Sequence, residues 1–412
     1  MKILFIHQNF PGQFKHLAPE LVRHGHQVVA LGLRFAKPEV WRGVQLIPYQ
    51  LARGSTPGIH PWVGDFESKV IRAQACMAAA LALRNQGFYP DLILAHPGWG
   101  ESLFLKEVWP QARLAIYGEF YYTDKGADVG FDPEFPVHDL LAEAARLSLK
   151  NLNNLMHFRV ADAAISPTHW QASTFPREFR AKITVIHDGI DTDFLVPSPV
   201  TIKTIPNLPA LGDGAPVITF VNRNLEPYRG YHSFMRCLPE LFRLLPSASV
   251  LLVGGDGVSY GAKAPNDLSW RTIYFDEVKA QLTPEQLQRI HFVGHIDYES
   301  FVSMLQRSTV HVYLTYPFVL SWSLLEAMSC ACAIVASSTE PVMEVIKEGE
   351  TGLLVDFFNY KALASRIAEL ASDPALRGEL GGRARALARA KFDLHRVCLP
   401  KQLQWVEELL QS

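Results

Sequence analysis

The first 33 residues contain the pattern that most limits the fold. The strand-like run "KILFIHQ" (2–8) precedes "FKHLAPELVRHG" (14–25), which has helical apolar spacing and ends at Gly25, and "HQVVALGL" (26–33) follows as a second strand-like run. Continuous apolar strands are typical of a parallel sheet covered on both faces. Glycine commonly follows the last residue of a helix. Strand, helix and strand form a βαβ unit, so this region is predicted to be α/β with a parallel sheet.

The same alternation continues to residue 189, and it restarts at residue 217. Between the two halves, "VPSPVTIKTIPNLPALGDGAP" (196–216) is rich in Pro and Gly and has little periodicity, as expected of a linker. We therefore predict two Rossmann-like, doubly wound α/β domains, at residues 1–196 and 217–394, joined by a linker at 197–216. Sheets of this kind bind ligands at the carboxyl ends of their strands, and two facing sheets are expected to hold a ligand in a cleft.

Composition narrows the class of protein. Of 412 residues, 48% are hydrophobic and 19% charged, which is sufficient for a large core, and the net charge of −2 disfavours a nucleic-acid partner. The five cysteines have no CxxC pair or zinc spacing, as expected of free thiols in a reducing compartment. The longest apolar stretch, "ACMAAALAL" (75–83), is too short to span a membrane, and no signal peptide is recognised. We expect a cytoplasmic protein.

Two features of the second half point to a charged ligand. The apolar run "FVLSWSLLEAM" (318–328) contains one carboxylate, Glu326, and a carboxylate in such a place needs a partner. Arg223 and Arg229 lie in the strand-to-helix segment "NRNLEPYRG" (222–230), where a helix N-terminus adds its dipole and free N–H groups. Such a segment suits an anion. The alternative is two solvated surface arginines.

An ordered set of motifs resembles the retaining nucleotide-sugar glycosyltransferases of the GT-B fold, specifically the family 4 group. The resemblance covers nearly the whole chain. The motifs are "MKILFIHQNFPGQF", "GHQVVAL", "DLILAHPG", "ISPTHWQAS", "VIHDGIDTDF", "VNRNLEPYRG", "LLVGGDG", "IHFVGHID", "SWSLLEAMSCACAIVASS" and "EGETGLLV". It implies a hexosyltransferase that uses a UDP- or GDP-linked sugar. It also implies that the last helix, at 395–412, packs back on the first domain.

The resemblance assigns the donor's diphosphate and ribose. Arg223 and Arg229 match the basic pair that binds the diphosphate, although the second residue is usually Lys, and Glu326 matches the glutamate that binds the ribose hydroxyls. Because two guanidiniums supply the positive charge, we expect no metal ion and no cofactor. The stretch "DTD" (191–193) has the spacing of a metal-binding motif from another glycosyltransferase fold, but here we interpret it as a structural turn.

The donor's sugar and base are assigned in the same way. His96, at a strand end, matches a histidine near the sugar, and Gly12 lies in a loop whose backbone approaches the ligand. The backbone N–H groups of Leu320, Ser321 and Trp322 are expected to bind sugar hydroxyls, and the backbone of Ile296 the nucleobase. One departure is Phe318, which stands where relatives have a glutamate beside the donor sugar. Retention through the leaving phosphate needs no protein nucleophile, so Phe318 is compatible with activity.

The acceptor is less defined. Glu119 and Tyr121 end a strand and could contact an acceptor, with loop polarity as an equal alternative. The acceptor could be a glycan, a lipid or a small molecule. The amphipathic last helix is expected to pack on the protein, and peripheral membrane contact is the alternative. Two other functions stay open at this stage: a nucleotide-sugar epimerase or hydrolase, and a non-catalytic subunit that binds sugar nucleotides.

Overall fold

The computed structural model describes residues 1–198 and 214–411, which form two compact units. The first unit comprises Met1–Gly189 and His395–Ser412, and the second comprises Ile190–Leu394. The first unit thus ends at Gly189, whereas the sequence prediction placed this boundary at residue 196. The reason is that Ile190 packs in the core of the second unit and exchanges backbone hydrogen bonds with Phe392 and Leu394, both 2.8 Å. Most of the predicted linker, 197–216, lies outside the described residues.

The first unit contains an eight-stranded sheet in the order β3-β4-β2-β1-β5-β6-β7-β8. Its strands are β1 (Lys2–Ile6), β2 (Gln27–Gly32), β3 (Glu39–Trp41), β4 (Val44–Pro48), β5 (Leu92–Ala95), β6 (Arg113–Tyr117), β7 (Ala163–Ser166) and β8 (Ile183–Val185). Neighbouring strands are parallel except β3 and β4. The helices are α1 (Leu17–Arg23), α2 (Pro61–Asn85), α3 (Leu105–Val108), α4 (Leu140–Val160), α5 (His169–Thr174) and α6 (Arg177–Arg180).

The second unit contains a six-stranded, all-parallel sheet in the order β11-β10-β9-β12-β13-β14. Its strands are β9 (Val217–Asn224), β10 (Ser249–Gly255), β11 (Ile290–Gly294), β12 (Val310–Tyr313), β13 (Ile334–Ser337) and β14 (Leu353–Val355). The helices are α7 (Tyr231–Leu244), α8 (Trp270–Lys279), α9 (Pro284–Leu287), α10 (Tyr298–Arg307), α11 (Trp322–Ser329), α12 (Glu340–Met343), α13 (Tyr360–Ser372) and α14 (Pro374–Phe392). Both units are therefore α/β, as predicted.

The last helix, α15 (Leu399–Gln411), packs on the first unit. Its apolar side includes Leu399 and Val406, which are buried. Glu407 lies 3.0 Å from the Nε2 atom of His26, and Gln402 donates to the carbonyl of His187 at 2.9 Å. The amphipathic pattern thus reflects packing. Among the described residues, no helix is both long and apolar enough to cross a membrane.

Two local features of the fold are not evident from the sequence pattern. The strands β3 and β4 form a hairpin whose two turn residues, Arg42 and Gly43, have φ of 48° and 84°. Left-handed residues at both turn positions match the twist of a tight hairpin. Helix α14 contains Gly381, where a Cβ would lie 2.2 Å from the carbonyl oxygen of Ala331. A glycine is therefore required where this helix crosses the segment after α11.

Candidate active site

The guanidinium of Arg229 is buried in the second unit, at the end of a short 3-10 turn (Pro227–Arg229) between β9 and α7. One Nη atom donates to Thr315 Oγ1 at 2.8 Å and to the carbonyl of Val319 at 3.0 Å. Both acceptors follow β12, the strand beside β9. Arg229 forms no ion pair with any residue in the described ranges. The nearby Glu226 carboxylate favours the charge of Arg229 without forming an ion pair with it, so the guanidinium can still bind an anionic ligand.

Arg223 belongs to the same segment and has the opposite environment. It is the penultimate residue of β9, which ends at Asn224. Its side chain is exposed, and within residues 1–198 and 214–411 it makes no hydrogen bond or ion pair. The two arginines predicted to bind the diphosphate therefore differ. The guanidinium of Arg229 is buried and hydrogen-bonded, and the side chain of Arg223 is exposed.

Glu226, between the two arginines, is fully buried and organises the neighbouring loop. Its carboxylate accepts backbone N–H groups from Ser259 at 3.0 Å, Tyr260 at 3.3 Å and Gly261 at 3.2 Å. Three backbone N–H donors stabilise the carboxylate charge, and Glu226 in turn favours the charge of Arg229. Sequence analysis missed this residue, although its position between Arg223 and Arg229 was a usable signal.

The loop held by Glu226 places aromatic rings against Arg229. The guanidinium carbon lies 5.0 Å from the centroid of the Tyr260 ring and 5.9 Å from that of Phe318, distances that suit cation–π attraction. Phe318 is buried and also contacts Tyr228 edge-on, with ring centroids 5.5 Å apart. The residue that replaces the expected glutamate is therefore part of an aromatic wall beside the buried cation.

Glu326 has a partner that the sequence did not reveal. It lies in the middle of α11, and its Oε1 atom accepts a 2.7 Å hydrogen bond from the hydroxyl of Tyr298, the first residue of α10. The Tyr298 ring stacks on Phe194 with centroids 5.8 Å apart. Partial burial, followed by the charge of Glu326, raises the pKa of Tyr298, so this hydroxyl stays protonated as a donor.

The backbone groups predicted to contact the donor lie at the starts of these helices. The N–H of Ser321 donates to the hydroxyl of Tyr313 at 2.9 Å, and the Ser321 side chain caps α11 by accepting from Ser323 N–H. Trp322 is the exposed first residue of α11, and the partly buried Leu320 packs on the core. Ile296 follows β11 and packs on the same core. The Ser321 N–H is therefore already used within the protein.

His96 lies at the carboxyl end of β5 in the first unit and is buried. Its Nδ1 atom accepts the N–H of Gly98 at 3.2 Å, which places the ring proton on Nε2. Burial, and then the nearby His7, hold the pKa of His96 well below its usual value, so the ring is neutral. Nε2 is 3.6 Å from Glu119 and has no hydrogen-bond partner among the described residues. The structure thus presents a buried, unused N–H donor.

The space left by Gly12 is filled by His7. Gly12 has φ +45°, and a Cβ there would lie 2.3 Å from Nε2 of the His7 ring. That nitrogen is 2.7 Å from Gln13 Oε1, and Nδ1 accepts the N–H of Asn9 at 2.9 Å. The missing side chain therefore has a packing reason independent of any ligand.

The two predicted acceptor residues follow β6. Glu119 is partly exposed and is the carboxylate nearest to His96 Nε2. Tyr121 packs on Phe175 with centroids 5.8 Å apart, and its N–H donates to Thr174 Oγ1 at 3.1 Å. Of this pair, only Glu119 is close to another predicted site residue.

The "DTD" segment forms a turn. Asp191 Oδ1 accepts the N–H groups of Asp193 at 3.2 Å and Phe194 at 3.0 Å. The Thr192 hydroxyl donates to the carboxylate of Asp393. The first carboxylate of the motif is therefore bound to the backbone.

Comparisons with known proteins identify the family and the fold. The sequence model described as glycosyl transferase family 4 group matches residues 24–195, and the model described as glycosyl transferases group 1 matches residues 202–387. One relative is the GDP-mannose-dependent alpha-(1-6)-phosphatidylinositol monomannoside mannosyltransferase of Mycolicibacterium smegmatis. It is 24% identical over 288 residues, 69% of each chain.

Two solved structures share the fold. Sucrose-phosphate synthase from Thermosynechococcus elongatus has a TM-score of 0.75 at 19% identity and covers 100% of both chains. Anabaena HepE, in complex with UDP and glucose, has a TM-score of 0.64 at 17% identity and covers 99% of both. The fold is thus that of the GT-B glycosyltransferases. The two sequence models together match most of the chain, and the chain belongs to the family 4 glycosyltransferases, a family of transferase enzymes.

Proposed function

We propose that this glycosyltransferase takes its sugar from a UDP- or GDP-linked donor and retains the anomeric configuration. The observation that carries the proposal is the buried guanidinium of Arg229, which donates to two neutral acceptors and forms no ion pair in the described part of the chain, although the buried carboxylate of Glu226 lies near enough to favour its charge. A diphosphate would supply the direct ion pair that Arg229 lacks in the described part of the chain. Two similar proteins are consistent with it: one relative is named as GDP-mannose-dependent, and HepE was solved with UDP.

Arg229 would act most strongly as the bond between sugar C1 and phosphate oxygen breaks. Negative charge then develops on the diphosphate, and a guanidinium already held by Thr315 and Val319 needs no reorganisation to stabilise it. Loss of one such donor typically costs about 10²–10³ in kcat. Arg223 adds a second, exposed cation. The proposal includes no metal ion, because the two guanidiniums supply the charge.

The remaining predicted residues have complementary roles in the proposal. Glu326, held by Tyr298, accepts from the ribose hydroxyls. The unused Nε2–H of His96 donates to a sugar hydroxyl, which removes the cost, about 1–3 kcal/mol, of a buried unpaired donor. No carboxylate is proposed as nucleophile, since Phe318 occupies the expected position. In retention without a protein nucleophile, the leaving phosphate assists deprotonation of the acceptor.

The test is a donor panel followed by time-resolved proton NMR. UDP-glucose, UDP-N-acetylglucosamine, GDP-mannose and ADP-glucose are each incubated with the protein, and the released sugar is observed before it mutarotates. We expect release from one nucleotide class, with the α-linked donors giving the α anomer first. Release of the β anomer would contradict retention. Conversion to an epimeric nucleotide-sugar would instead identify an epimerase.

A further inference from the structure

One face of helix α4 lies along the loop that follows His96. Arg146, Lys150, Asn153 and His157 are spaced by four, three and four residues, so they share this face. Asn153 Nδ2 donates to the carbonyl of Pro97 at 2.8 Å, and His157 Nε2 is 2.8 Å from Ser102 Oγ. The face is therefore fixed at the carboxyl end of β5, the same end of the sheet as His96.

Lys150 on this face is a partly buried cation with an aromatic neighbour. Its Nζ atom lies 3.6 Å from the centroid of the Tyr122 ring. It forms no hydrogen bond or ion pair with the residues of 1–198 and 214–411. Burial, followed by Arg146, lowers the pKa of Lys150, although Asp128 and Asp65 act in the opposite direction. The ammonium therefore has acidic groups nearby but no direct counter-ion in the described part of the chain.

A second buried lysine comes from helix α2. Lys69 is 8% exposed, and its Nζ lies 2.6 Å from the Asp65 carboxylate. Its backbone is fixed against the same loop, because a Cβ at Gly100 would be only 2.4 Å from Lys69 Cβ. Its charge is close enough to lower the pKa of Lys150. Two lysines therefore converge beside the loop.

Unused hydrogen-bonding atoms surround the same strand ends. Four side-chain atoms here are buried without a hydrogen-bond partner in the described ranges: Gln8 Oε1, Asn9 Oδ1, His96 Nε2 and Asn153 Oδ1. Gln8 and Asn9 follow β1, His96 follows β5, and Asn153 lies on α4. Buried polar atoms normally have partners. Amide oxygens and a ring N–H are suited to the hydroxyl groups of a polyol. A polyol bound here would satisfy groups that the protein leaves unpaired.

We propose that the acceptor is a polyol that carries a phosphate ester, with the phosphate bound by Lys150 and Lys69 and hydroxyls bound by Asn153 and His96. The inference rests on the proposed function and names its acceptor class. The phosphate ester could belong to a free sugar or cyclitol phosphate or to a phosphoinositide headgroup. Both sources present the same chemistry to the lysines.

The test measures binding by calorimetry with the nucleoside diphosphate present. Glucose 6-phosphate, fructose 6-phosphate and inositol 1-phosphate are compared with their unphosphorylated parents, and phosphatidylinositol vesicles are compared with phosphatidylcholine vesicles. The variants are Lys150→Met, which keeps the packing on Tyr122, and Lys150→Arg, which keeps the charge. Lys401→Met, at an exposed position on α15, is the matched control.

We expect at least one phosphate ester to bind at least tenfold more tightly than its parent. This preference should be lost in Lys150→Met and kept in Lys150→Arg and Lys401→Met. Lys150-dependent binding to phosphatidylinositol vesicles alone would support the proposal with a lipid as the source. No preference in either arm, or a preference that survives Lys150→Met, would overturn it. Separate titrations of UDP and of GDP into each protein report on the proposed function, because the binding of either nucleotide is expected to depend on Arg229.

Discussion

The hydroxyl of Tyr298 donates a 2.7 Å hydrogen bond to the carboxylate of Glu326. This bond orients the group that we propose to bind the donor ribose, so Tyr298 is a positioning residue. Tyr298→Phe should raise KM for the donor about fivefold, the equivalent of about 1 kcal/mol, with little change in kcat. Tyr89→Phe, at an exposed tyrosine of the first unit, is the control. A fall in kcat with unchanged KM would argue against a positioning role.

The ribose assignment of Glu326 has its own test. A carboxylate that accepts from ribose hydroxyls should discriminate between a nucleoside diphosphate and its 2′-deoxy form. We expect Glu326→Ala to lose most of this discrimination, which we expect to be about tenfold in the wild type, because one charged hydrogen bond contributes roughly 1.5–3 kcal/mol. Competition binding with both nucleotides measures it. Equal discrimination in the two proteins would exclude a contact between Glu326 and the 2′-hydroxyl.

Gly12 is expected to matter for stability. In Gly12→Ala, the added Cβ would lie 2.3 Å from the His7 ring at a residue with φ +45°. We expect the free energy of unfolding to fall by about 1–3 kcal/mol, measured by urea denaturation. Adding His7→Ala should restore part of the loss by removing the clash. A stable Gly12→Ala protein that no longer binds donor would instead favour the ligand-approach interpretation.

Glu101 makes stability depend on pH. This carboxyl group is buried, accepts from the Tyr49 hydroxyl, and has its pKa raised by burial to about 7. In the unfolded chain a glutamate releases its proton near pH 4.5. The folded protein therefore binds more protons between these values, and stability falls as pH rises through this range, by roughly 3 kcal/mol.

The variant Glu101→Gln isolates this effect, because it has no titratable group at this position. The buried histidines, such as His157 with its pKa lowered by burial to about 4, titrate in both proteins and cancel in the comparison. Relative to wild type, Glu101→Gln should gain stability between pH 5 and pH 8 in urea denaturation. Glu107→Gln, at an exposed position near by, is the control. A constant difference between wild type and Glu101→Gln would contradict a raised pKa.

Removal of divalent cations should leave transfer unaffected. The positive charge for the leaving diphosphate is assigned to Arg229 and Arg223, and Asp191 of the "DTD" segment is bound to backbone N–H groups. Donor turnover is measured before and after treatment with EDTA, with Mg²⁺ and Mn²⁺ added back. Turnover that disappears with EDTA and returns with either ion would show that the charge assignment is incomplete.

The fold was predictable because both sheets are built from continuous apolar runs separated by helical segments. The hairpin of β3 and β4 was not, because its turn uses Arg42 and Gly43 in place of the usual Asn-Gly, and Glu39 and Val40 on β3 are exposed. Helix α14 was also missed. Its glycines weaken the helical pattern, and at Gly381 the glycine is needed for close approach to Ala331. In both cases the sequence pattern is weakened by residues that the local backbone geometry requires.

Within the candidate site, the sequence allowed individual residues to be predicted but not the contacts between them. His96 directly follows β5, Arg229 lies in the turn after β9, and both side chains are buried. Their partners come from other elements: Thr315 follows β12, and Tyr298 begins α10, far from Glu326 in sequence. Spacing in one sequence does not reveal such contacts. For the same reason, the position of Lys150 near the loop after His96 could not be predicted from the sequence, because it depends on how α4 packs against that loop.

The most direct test of the account is whether Arg229 binds the β-phosphate of the donor. Calorimetry would compare UDP with UMP, and GDP with GMP, on the wild type, on Arg229→Gln and on Arg243→Gln, a control at an exposed arginine of the same unit. We predict that the wild type binds one diphosphate at least tenfold more tightly than its monophosphate. This ratio should fall close to one in Arg229→Gln and persist in Arg243→Gln. A ratio that is unchanged in a folded Arg229→Gln protein would contradict the assignment of Arg229 to the donor diphosphate.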